Sequence, residues 1–434
     1  MRKILLAGVA TVAMTGVAAA AGLEPTAPSS SSAVTGTAAP GKSIVRLDGY
    51  VFFAAGFATN SLDKHPNGSK SDSFGLISTF RIYPSFDAQT AGGLRYGAFA
   101  EIRSNSNTAA GTTLTGATSG LVGGGNQRST NTLFVNRAWG YVGTDEIGRL
   151  QFGTVDGVTS QYRTGTFESQ IADGGWNGWA PVMTAGVNPW RFLASGGDLA
   201  QKVNYLSPTW AGFQVGLSFA PSSTNNSSSF GAAVGTGGAT RQSASLLASD
   251  LARPRNMFQA GARYTGTFGG AGFQANVGYV GSSAIQNAAA GGASNRGLSI
   301  VSAGATVSFQ GFMVGGYMET GTHNGGQTLL ASGEKNALTY TLGASYTNGP
   351  WVVGAGYVNS RTAGFAGNNN QRSDTGWHGG VTYTYVPGAR LFVELVTGTA
   401  KENGRNLSND VLPVGVTTRA INSTAVIVGN SFRW

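Results

Sequence analysis

The chain has 434 residues, of which 11% are charged, 10% are aromatic and 68 are glycine, and it contains no cysteine. A soluble domain carries about a quarter of its residues as charges, so this composition argues against a water-facing globule and favours a large uncharged surface. The aromatic content argues against intrinsic disorder, and the absence of cysteine excludes disulfides and thiolate metal sites.

The N-terminus has the order of segments that directs a chain out of the cytoplasm. Arg2 and Lys3 precede an apolar run over 4–17, which ends in small residues at 18–21. This order predicts a secretory signal peptide over residues 1–21; a membrane anchor helix is the alternative, disfavoured because the run is short. Removing the two basic residues lowers the formal net charge from +9 by two, to +7.

Residues 22–43 are rich in alanine, proline, serine and threonine and predict a flexible periplasmic leader. Within them, 36–43 matches the phosphate-loop pattern G-x-x-x-x-G-K-[ST]. That motif works only between a strand and a helix whose N-terminus holds phosphate. Here a strand pattern follows, so we expect no nucleotide and no other cofactor. No basic run with interleaved aromatic residues occurs either, so we expect no nucleic-acid partner.

From residue 44 to the C-terminus, apolar and polar residues alternate in short segments. Phe213, Val215 and Leu217, for example, form an apolar row with Gln214 opposite. A period of two predicts β-strands with one apolar face. The alternation predicts sixteen strands, over residues 44–58, 73–86, 94–103, 132–143, 148–155, 199–207, 212–220, 257–268, 272–281, 298–309, 312–320, 337–347, 351–361, 376–386, 390–398 and 421–434.

The linkers between these strands alternate in length. Tight linkers such as 268–272, 310–311 and 348–350 are followed by linkers of many glycine, serine, asparagine and threonine residues. Short turns on one rim and long loops on the other are typical of a transmembrane antiparallel β-barrel, which we expect over residues 44–434. Sixteen strands enclose a water-filled channel rather than a packed core.

Strand parity also predicts which side chains face the channel. The predicted inward basic residues are Arg46, Arg81, Arg95, Arg103, Arg137, Lys202 and Arg263, and the inward acidic residues are Asp48, Glu101, Glu319 and Glu394. The inward aromatic residues are Phe52, Phe99, Tyr317 and Phe392, which we expect to be scattered rather than stacked. The three histidines show no zinc-site spacing, so no metal is expected.

Three stretches resemble the general Gram-negative porins, in particular those of alphaproteobacteria. They are the hairpin from Asn136 to Gly153, with the pattern R-x-x-x-x-V-G followed by G-x-L-x-x-G; the hairpin from Gln201 to Phe213; and the opening Arg46-Leu-Asp-Gly-Tyr-Val51. The resemblance implies a passive pore for ions and small hydrophilic solutes in the outer membrane, assembled as a homotrimer among lipid and lipopolysaccharide. It implies no catalytic residue and no enzymatic activity.

The resemblance also implies that the loop after the fifth strand folds into the channel and narrows it. Here that loop carries Asp156, Glu168 and Asp173. The family places arginines on the opposite wall, and Arg137 matches the arginine of the family motif. The other wall residues expected at the constriction, by parity alone, are Arg46, Arg81, Arg95 and Lys202. We therefore expect a mild anion preference that weakens as salt rises, with Arg137 mattering more than Arg263.

The C-terminal strand ends in Ser-Phe-Arg-Trp, with Phe432 and Trp434 on the outward row. Porins usually end in phenylalanine, so the tryptophan departs from the family pattern, but the terminal aromatic residue is present. The resemblance implies that Phe432 and Trp434 form the signal read by the barrel-assembly machinery. The small outward residues Ala138 and Gly140 suggest packing against a neighbouring subunit rather than against lipid.

Two other functions remain open from the sequence. A substrate-selective outer-membrane channel for sugars or anions would show a line of aromatic side chains along the channel. A barrel enzyme would need a convergent polar triad, and an adhesin would need an added domain; neither is found in the sequence.

Overall fold

A computed structural model of the chain describes residues 38–60, 73–104, 133–167, 199–222, 252–286, 294–363, 371–403 and 418–434. The predicted signal peptide and most of the predicted leader lie outside these residues, as do Glu168 and Asp173. Strands dominate the described part, and no helix in it is long and apolar enough to span a membrane.

The described elements are eighteen strands and one short helix. They are β1 (Lys42–Asn60), β2 (Phe74–Gln89), β3 (Arg95–Ser104), β4 (Leu133–Thr144), β5 (Gly148–Val155), α1 (Val158–Tyr162), β6 (Ala200–Leu206), β7 (Phe213–Ser222), β8 (Ala252–Phe268), β9 (Ala271–Gln286), β10 (Asn295–Arg296), β11 (Ser299–Phe309), β12 (Phe312–Thr322), β13 (Leu330–Ala331), β14 (Ala337–Asn348), β15 (Trp351–Thr362), β16 (Arg372–Val386), β17 (Ala389–Asn403) and β18 (Thr418–Arg433).

Sixteen of the strands form one closed antiparallel barrel, in which neighbours in the chain are neighbours in the sheet. The two short strands, β10 and β13, pair only with each other. Each predicted segment coincides with one barrel strand, so the predicted fold class and strand count are confirmed. The first strand begins two residues inside the predicted leader, because Lys42 and Ser43 pair with Gln89 and Ala88. A strand at that point is incompatible with a phosphate loop.

The outer face of the barrel is apolar. Val45, Leu47 and Phe53 on β1 are between 50% and 78% exposed, and comparable rows run along the other strands. Outward aromatic rings of neighbouring strands contact one another near the rim where tight turns join the strands. Phe312 and Tyr346, for example, are 4.3 Å apart between ring centres. An apolar band with aromatic girdles is the surface that a barrel presents to lipid.

The strands are joined at one rim by tight turns, whose backbone conformation suits a hairpin. Gln310 and Gly311, between β11 and β12, both have positive φ (48° and 85°). Two consecutive positive-φ residues match the twist of the flanking strands in a two-residue hairpin turn. We refer to this rim as the short-turn end and to the opposite rim as the long-loop end.

The barrel closes where β18 meets β1, and the last residue of the chain takes part in the closure. The amide N–H groups of Gly49 and Trp434 donate to each other's carbonyl groups at 3.0 and 3.3 Å. The indole ring of Trp434 occupies the space that a side chain at residue 49 would fill. Phe432 and Trp434 are 45% and 56% exposed on the outer face, as the sequence predicts.

We predict that Trp434→Ala weakens barrel closure. Loss of a half-buried indole costs about 1–2 kcal/mol of apolar burial, and here it also uncovers Gly49 at the seam. The measurement is the temperature at which the folded, fast-migrating form disappears on a gel. Trp351→Ala is the matched control, since Trp351 is a girdle tryptophan away from the seam with 50% exposure. Equal losses for the two variants would contradict a role at the seam.

Candidate functional site

The segment that follows β5 folds inside the barrel. Residues 156–167, including α1, run across the inner wall from β7 to β14 and are almost entirely buried. Val158 N–H donates to Ser218 Oγ on β7 at 2.8 Å, and Thr164 N–H donates to Asn276 Oδ1 on β9 at 3.1 Å. Farther along, Thr341 Oγ1 on β14 donates to the carbonyl of Gly165 at 3.2 Å. The predicted inward-folded loop is therefore present, and we call this segment the inner loop.

A row of glycines on the inner wall makes room for the inner loop. Gly216, Gly261 and Gly278 lie directly opposite one another on β7, β8 and β9. A Cβ atom at Gly216 would lie 2.8 Å from Val158 Cγ1, and one at Gly278 would lie 2.8 Å from Thr159 Cγ2. Real Cβ atoms do not approach other atoms this closely, so larger residues at these positions would force the loop off the wall.

The same arrangement continues along the loop. A Cβ atom at Gly304 on β11 would overlap the carbonyl oxygen of Thr164, and one at Gly343 on β14 would overlap the ring of Phe167. We call Gly216, Gly261, Gly278, Gly304 and Gly343 the glycine row. Sequence reasoning missed it because glycine is common throughout the chain, so the inward glycines do not stand out.

We predict that Gly278→Val displaces the inner loop and widens the pore. Overpacking of this kind costs about 1–3 kcal/mol, and the loop is the part that can yield because the wall is held by strand hydrogen bonds. Single-channel conductance should rise. Gly379→Val is the control, since a Cβ atom there meets nothing nearer than 3.3 Å and no part of the loop. Unchanged conductance in Gly278→Val would contradict the seating of the loop on the glycine row.

Where the inner loop begins, three arginines of the wall converge on one buried glutamate. Glu101 on β3 lies directly across from Arg137 on β4, and the two side chains form an ion pair. Arg103 Nε donates to Glu101 Oε1 at 2.6 Å, and Arg81 Nη1 lies 3.8 Å from the same oxygen. The inner loop contributes Asp156, whose carboxylate is 3.0 Å from Arg137 Nη2. We call these five residues the arginine cluster.

An irregularity in β4 helps to build the cluster. The register between β3 and β4 shifts between Glu101 and Ile102, so that Asn136 has no partner opposite it. The residues of a bulge oppose a single residue of the partner strand and re-aim their side chains. Asn136 Nδ2 donates to Glu101 Oε2 at 2.8 Å, beside Arg137. The carboxylate is therefore surrounded by donors, as a buried charge requires.

The arginine cluster brings like charges close together, and Glu101 compensates for their repulsion. Arg81 and Arg103 lie directly opposite each other on β2 and β3. Like charges in such a pair repel and destabilise a sheet. Glu101, with a side chain that is 2% exposed, contacts both guanidinium groups and Arg137. Its negative charge allows three cations to stand together on one patch of wall.

The structure gathers some of the predicted site residues and separates others. Arg81, Arg137 and Asp156 meet in the cluster, together with Glu101 and Arg103, which parity had placed inward. Arg95 instead lies at the short-turn end, 2.9 Å from Asp145 of the adjacent turn. On β1, Arg46 pairs with Ser85, and Tyr50 pairs with Arg81. Arg46 is therefore four residues nearer the short-turn end than the position of Arg81. Lys202 is buried on β6, opposite Gly153. The alternation of residues along a strand predicts which face of the sheet a side chain is on, but not its position along the barrel axis.

The expectation of scattered inward aromatic residues is wrong. Phe52 and Phe392 stack at 5.6 Å between ring centres. Tyr83, Phe99, Trp139 and Tyr141 form a continuous series, with successive centroids 6.1, 5.6 and 6.1 Å apart. They belong to one buried cluster on the inner wall. Strand parity found single aromatic residues, but only the strand register brings those of neighbouring strands into contact.

These stacked rings are nevertheless not a surface for passing solutes. Phe52 is fully buried, and Phe99, Trp139 and Tyr141 are at most 4% exposed. Side chains buried to this extent pack against each other and hold the wall together on the side of β1–β4. The line of exposed aromatic residues that would favour a sugar-selective channel is therefore absent from the described part of the wall.

A closed barrel with an apolar outer face, a polar inner face and a loop folded inside defines a passive diffusion channel of the outer membrane. The sequence profile of the Gram-negative porins matches residues 7–403. The chain therefore belongs to the Gram-negative porin family. In such barrels the short turns face the periplasm and the long loops face the outside.

Solved porin structures share the fold. The anion-selective porin from Comamonas acidovorans is 16% identical, with a TM-score of 0.56, and the match covers 91% of this chain and all of that one. OmpF from Salmonella typhi, in complex with daunomycin, is 12% identical with a TM-score of 0.56, covering 90% and 97%. The trimer form of OmpT from Vibrio cholerae is 12% identical with a TM-score of 0.51, covering 90% and 99%. No curated protein sequence matches the chain.

Proposed function

We propose that this porin conducts ions and small hydrophilic solutes with a mild preference for anions, and that the arginine cluster and the inner loop form its constriction. The observation that carries the proposal is the charge of the cluster. Three arginines of the wall contact Glu101 of the wall and Asp156 of the inner loop, which leaves one net positive charge on the cluster. Glu168 and Asp173 are proposed to extend the acidic side along the same loop.

The proposed mechanism is electrostatic filtering without chemistry. Cations on one side of a narrow opening and carboxylates on the other produce a transverse field in a region of low dielectric constant. Polar solutes that align with this field keep favourable interactions, whereas apolar solutes lose hydration and gain nothing. We propose a channel rather than an enzyme. The burial of the aromatic series supports diffusion over sugar-selective transport.

We predict that Glu101→Gln increases anion preference and weakens the barrel. The change leaves the three arginines facing Asp156 alone, so the net charge of the cluster rises from one to two. Removing one partner of a buried ion pair costs about 3–5 kcal/mol. Reversal potentials across planar bilayers in a salt gradient, together with heat-modifiability on gels, measure the two effects.

Glu146→Gln is the matched control, because it removes the same charge from an exposed turn at the short-turn end. Its reversal potential should stay close to that of the unmodified protein, since exposed charges beyond about 8–10 Å are screened at physiological salt. Equal shifts for both variants would contradict the constriction assignment. A wild-type pore selective for potassium over chloride would contradict the anion preference.

We further propose that the porin is a homotrimer that packs through the outer face of β3–β5, surrounded by outer-membrane lipid and lipopolysaccharide. Small residues on this face support the proposal: Ala98 lies opposite Gly140, and Ala100 lies opposite Ala138. Gly140 has a second explanation, since the Phe152 ring lies 2.9 Å from the position of a Cβ atom there. Ala138 is therefore the better residue to test. Phe432 and Trp434 are proposed to be recognised by the barrel-assembly machinery.

We predict that Ala138→Trp releases monomers. A bulky apolar residue is compatible with lipid but not with a closely packed subunit, so the folded barrel should persist while the trimer band disappears. Ala344→Trp is the matched control, because Ala344 is an exposed outward alanine on β14, across the barrel from β4. A trimer band that survives Ala138→Trp unchanged would argue against this interface.

A further inference from the structure

Two inward arginines differ from those of the arginine cluster. Arg149 on β5 and Arg263 on β8 form no ion pair among the described residues. The guanidinium carbon of Arg149 lies 5.4 Å from the centre of the Tyr141 ring, and that of Arg263 lies 4.9 Å from the centre of the Tyr162 ring. An aromatic face attracts a cation without neutralising it. Among the residues that the structure describes, neither positive charge is therefore compensated by a direct carboxylate contact.

The two arginines act on the same region of the lumen. The Tyr162 ring that Arg263 contacts belongs to the inner loop, so Arg263 lies on the lumen side of the wall beside that loop. Arg263 lies opposite Gln214 in the sheet register, and Gln214 and Arg149 line the same cavity. That cavity has a volume of about 320 Å³ and lies at the periplasmic end of the barrel. Cavities of roughly this size hold small molecules.

The acidic groups of the cavity are already engaged. Asp87 accepts hydrogen bonds from the Tyr141 hydroxyl and from the backbone N–H of Ala38. Asp145 pairs with Arg95, and its side chain is 68% exposed, so water and salt screen it. Gln214 Nε2 donates to the carbonyl of Ser207, while Gln214 Oε1 is buried without a partner in the described contacts. Of the two arginines that line the cavity, Arg95 is therefore paired with a carboxylate, whereas Arg149 has no such pair among the described residues, and Arg263 lies beside the cavity.

We infer that Arg149 and Arg263 form a binding site for an oxyanion, the carboxylate or phosphate group of a small solute, at the periplasmic end of the pore. A guanidinium group presents its N–H donors in a planar fork that matches both groups. The tyrosine rings support the guanidinium groups while leaving their positive charge for the solute. This inference rests on the proposed pore function and adds a retention step to it. The sequence predicts that Arg137 affects ion preference more than Arg263 does. For oxyanion binding we infer the opposite order, because Arg137 is paired with two carboxylates, whereas Arg263 has no ion pair in the described part of the chain.

The test is block of single-channel current by succinate or by inorganic phosphate, added on the side of the short turns. The wild-type pore should be blocked by at least one of the two anions. Arg149→Gln, Arg263→Gln and the double variant should raise the half-blocking concentration by about tenfold or more, as expected for lost hydrogen bonds to charged groups. Arg149→Lys should restore part of the block, because it keeps the charge but not the fork.

The controls separate a site from a general charge effect. Arg361→Gln removes a positive charge from an exposed position at the long-loop end of β15 and should leave the block nearly unchanged. Block by succinate alone would identify a carboxylate site, and block by phosphate alone would identify a phosphate site. An open wild-type pore that neither anion blocks would overturn the inference and leave the proposed function standing. Absence of any conductance would instead overturn the proposed function.

Discussion

The closed hydrogen-bond ladder is the constraint on which the rest of this structure depends. Lipid offers no partner to a backbone amide or carbonyl group, so a spanning sheet must have no free edge. The pairing of β1 with β18 meets that requirement. Once the ladder is closed, each strand residue faces either lipid or the lumen. Every feature of the lumen is then built from alternate residues whose positions along the strand are already fixed.

Two features organise the lumen of this porin: inward positions that lack a side chain, and one carboxylate that contacts several arginines. The inner loop has a place on the wall because successive strands carry glycine on their inner face. The arginines can crowd together because one carboxylate contacts three of them. The stacked aromatic rings on the side of β1–β4 fill space that would otherwise be water. Together these features fill part of the lumen with packed side chains and backbone.

The sequence predicts the fold well because the period of two is a direct consequence of strand geometry. All sixteen strands and the loop that enters the lumen follow from alternation, linker lengths and a family resemblance. The site is predicted only in part. Parity places Arg81, Arg95 and Arg137 on one face, but their heights depend on register, which alternation does not specify. The bulge at Asn136 and the cavity beside Arg149 depend on contacts between strands, so no local pattern reveals them.

The glycine row also makes the seating of the inner loop depend on strands that come later in the chain. Residues 156–167 precede every strand of the glycine row, and the last of these, β14, begins at Ala337. Their hydrogen-bond partners at Ser218, Asn276 and Thr341 exist as a surface only after β7, β9 and β14 have joined the sheet. The loop therefore gains its full set of contacts only when these strands are in the sheet, so its seating depends on formation of the barrel and cannot precede it.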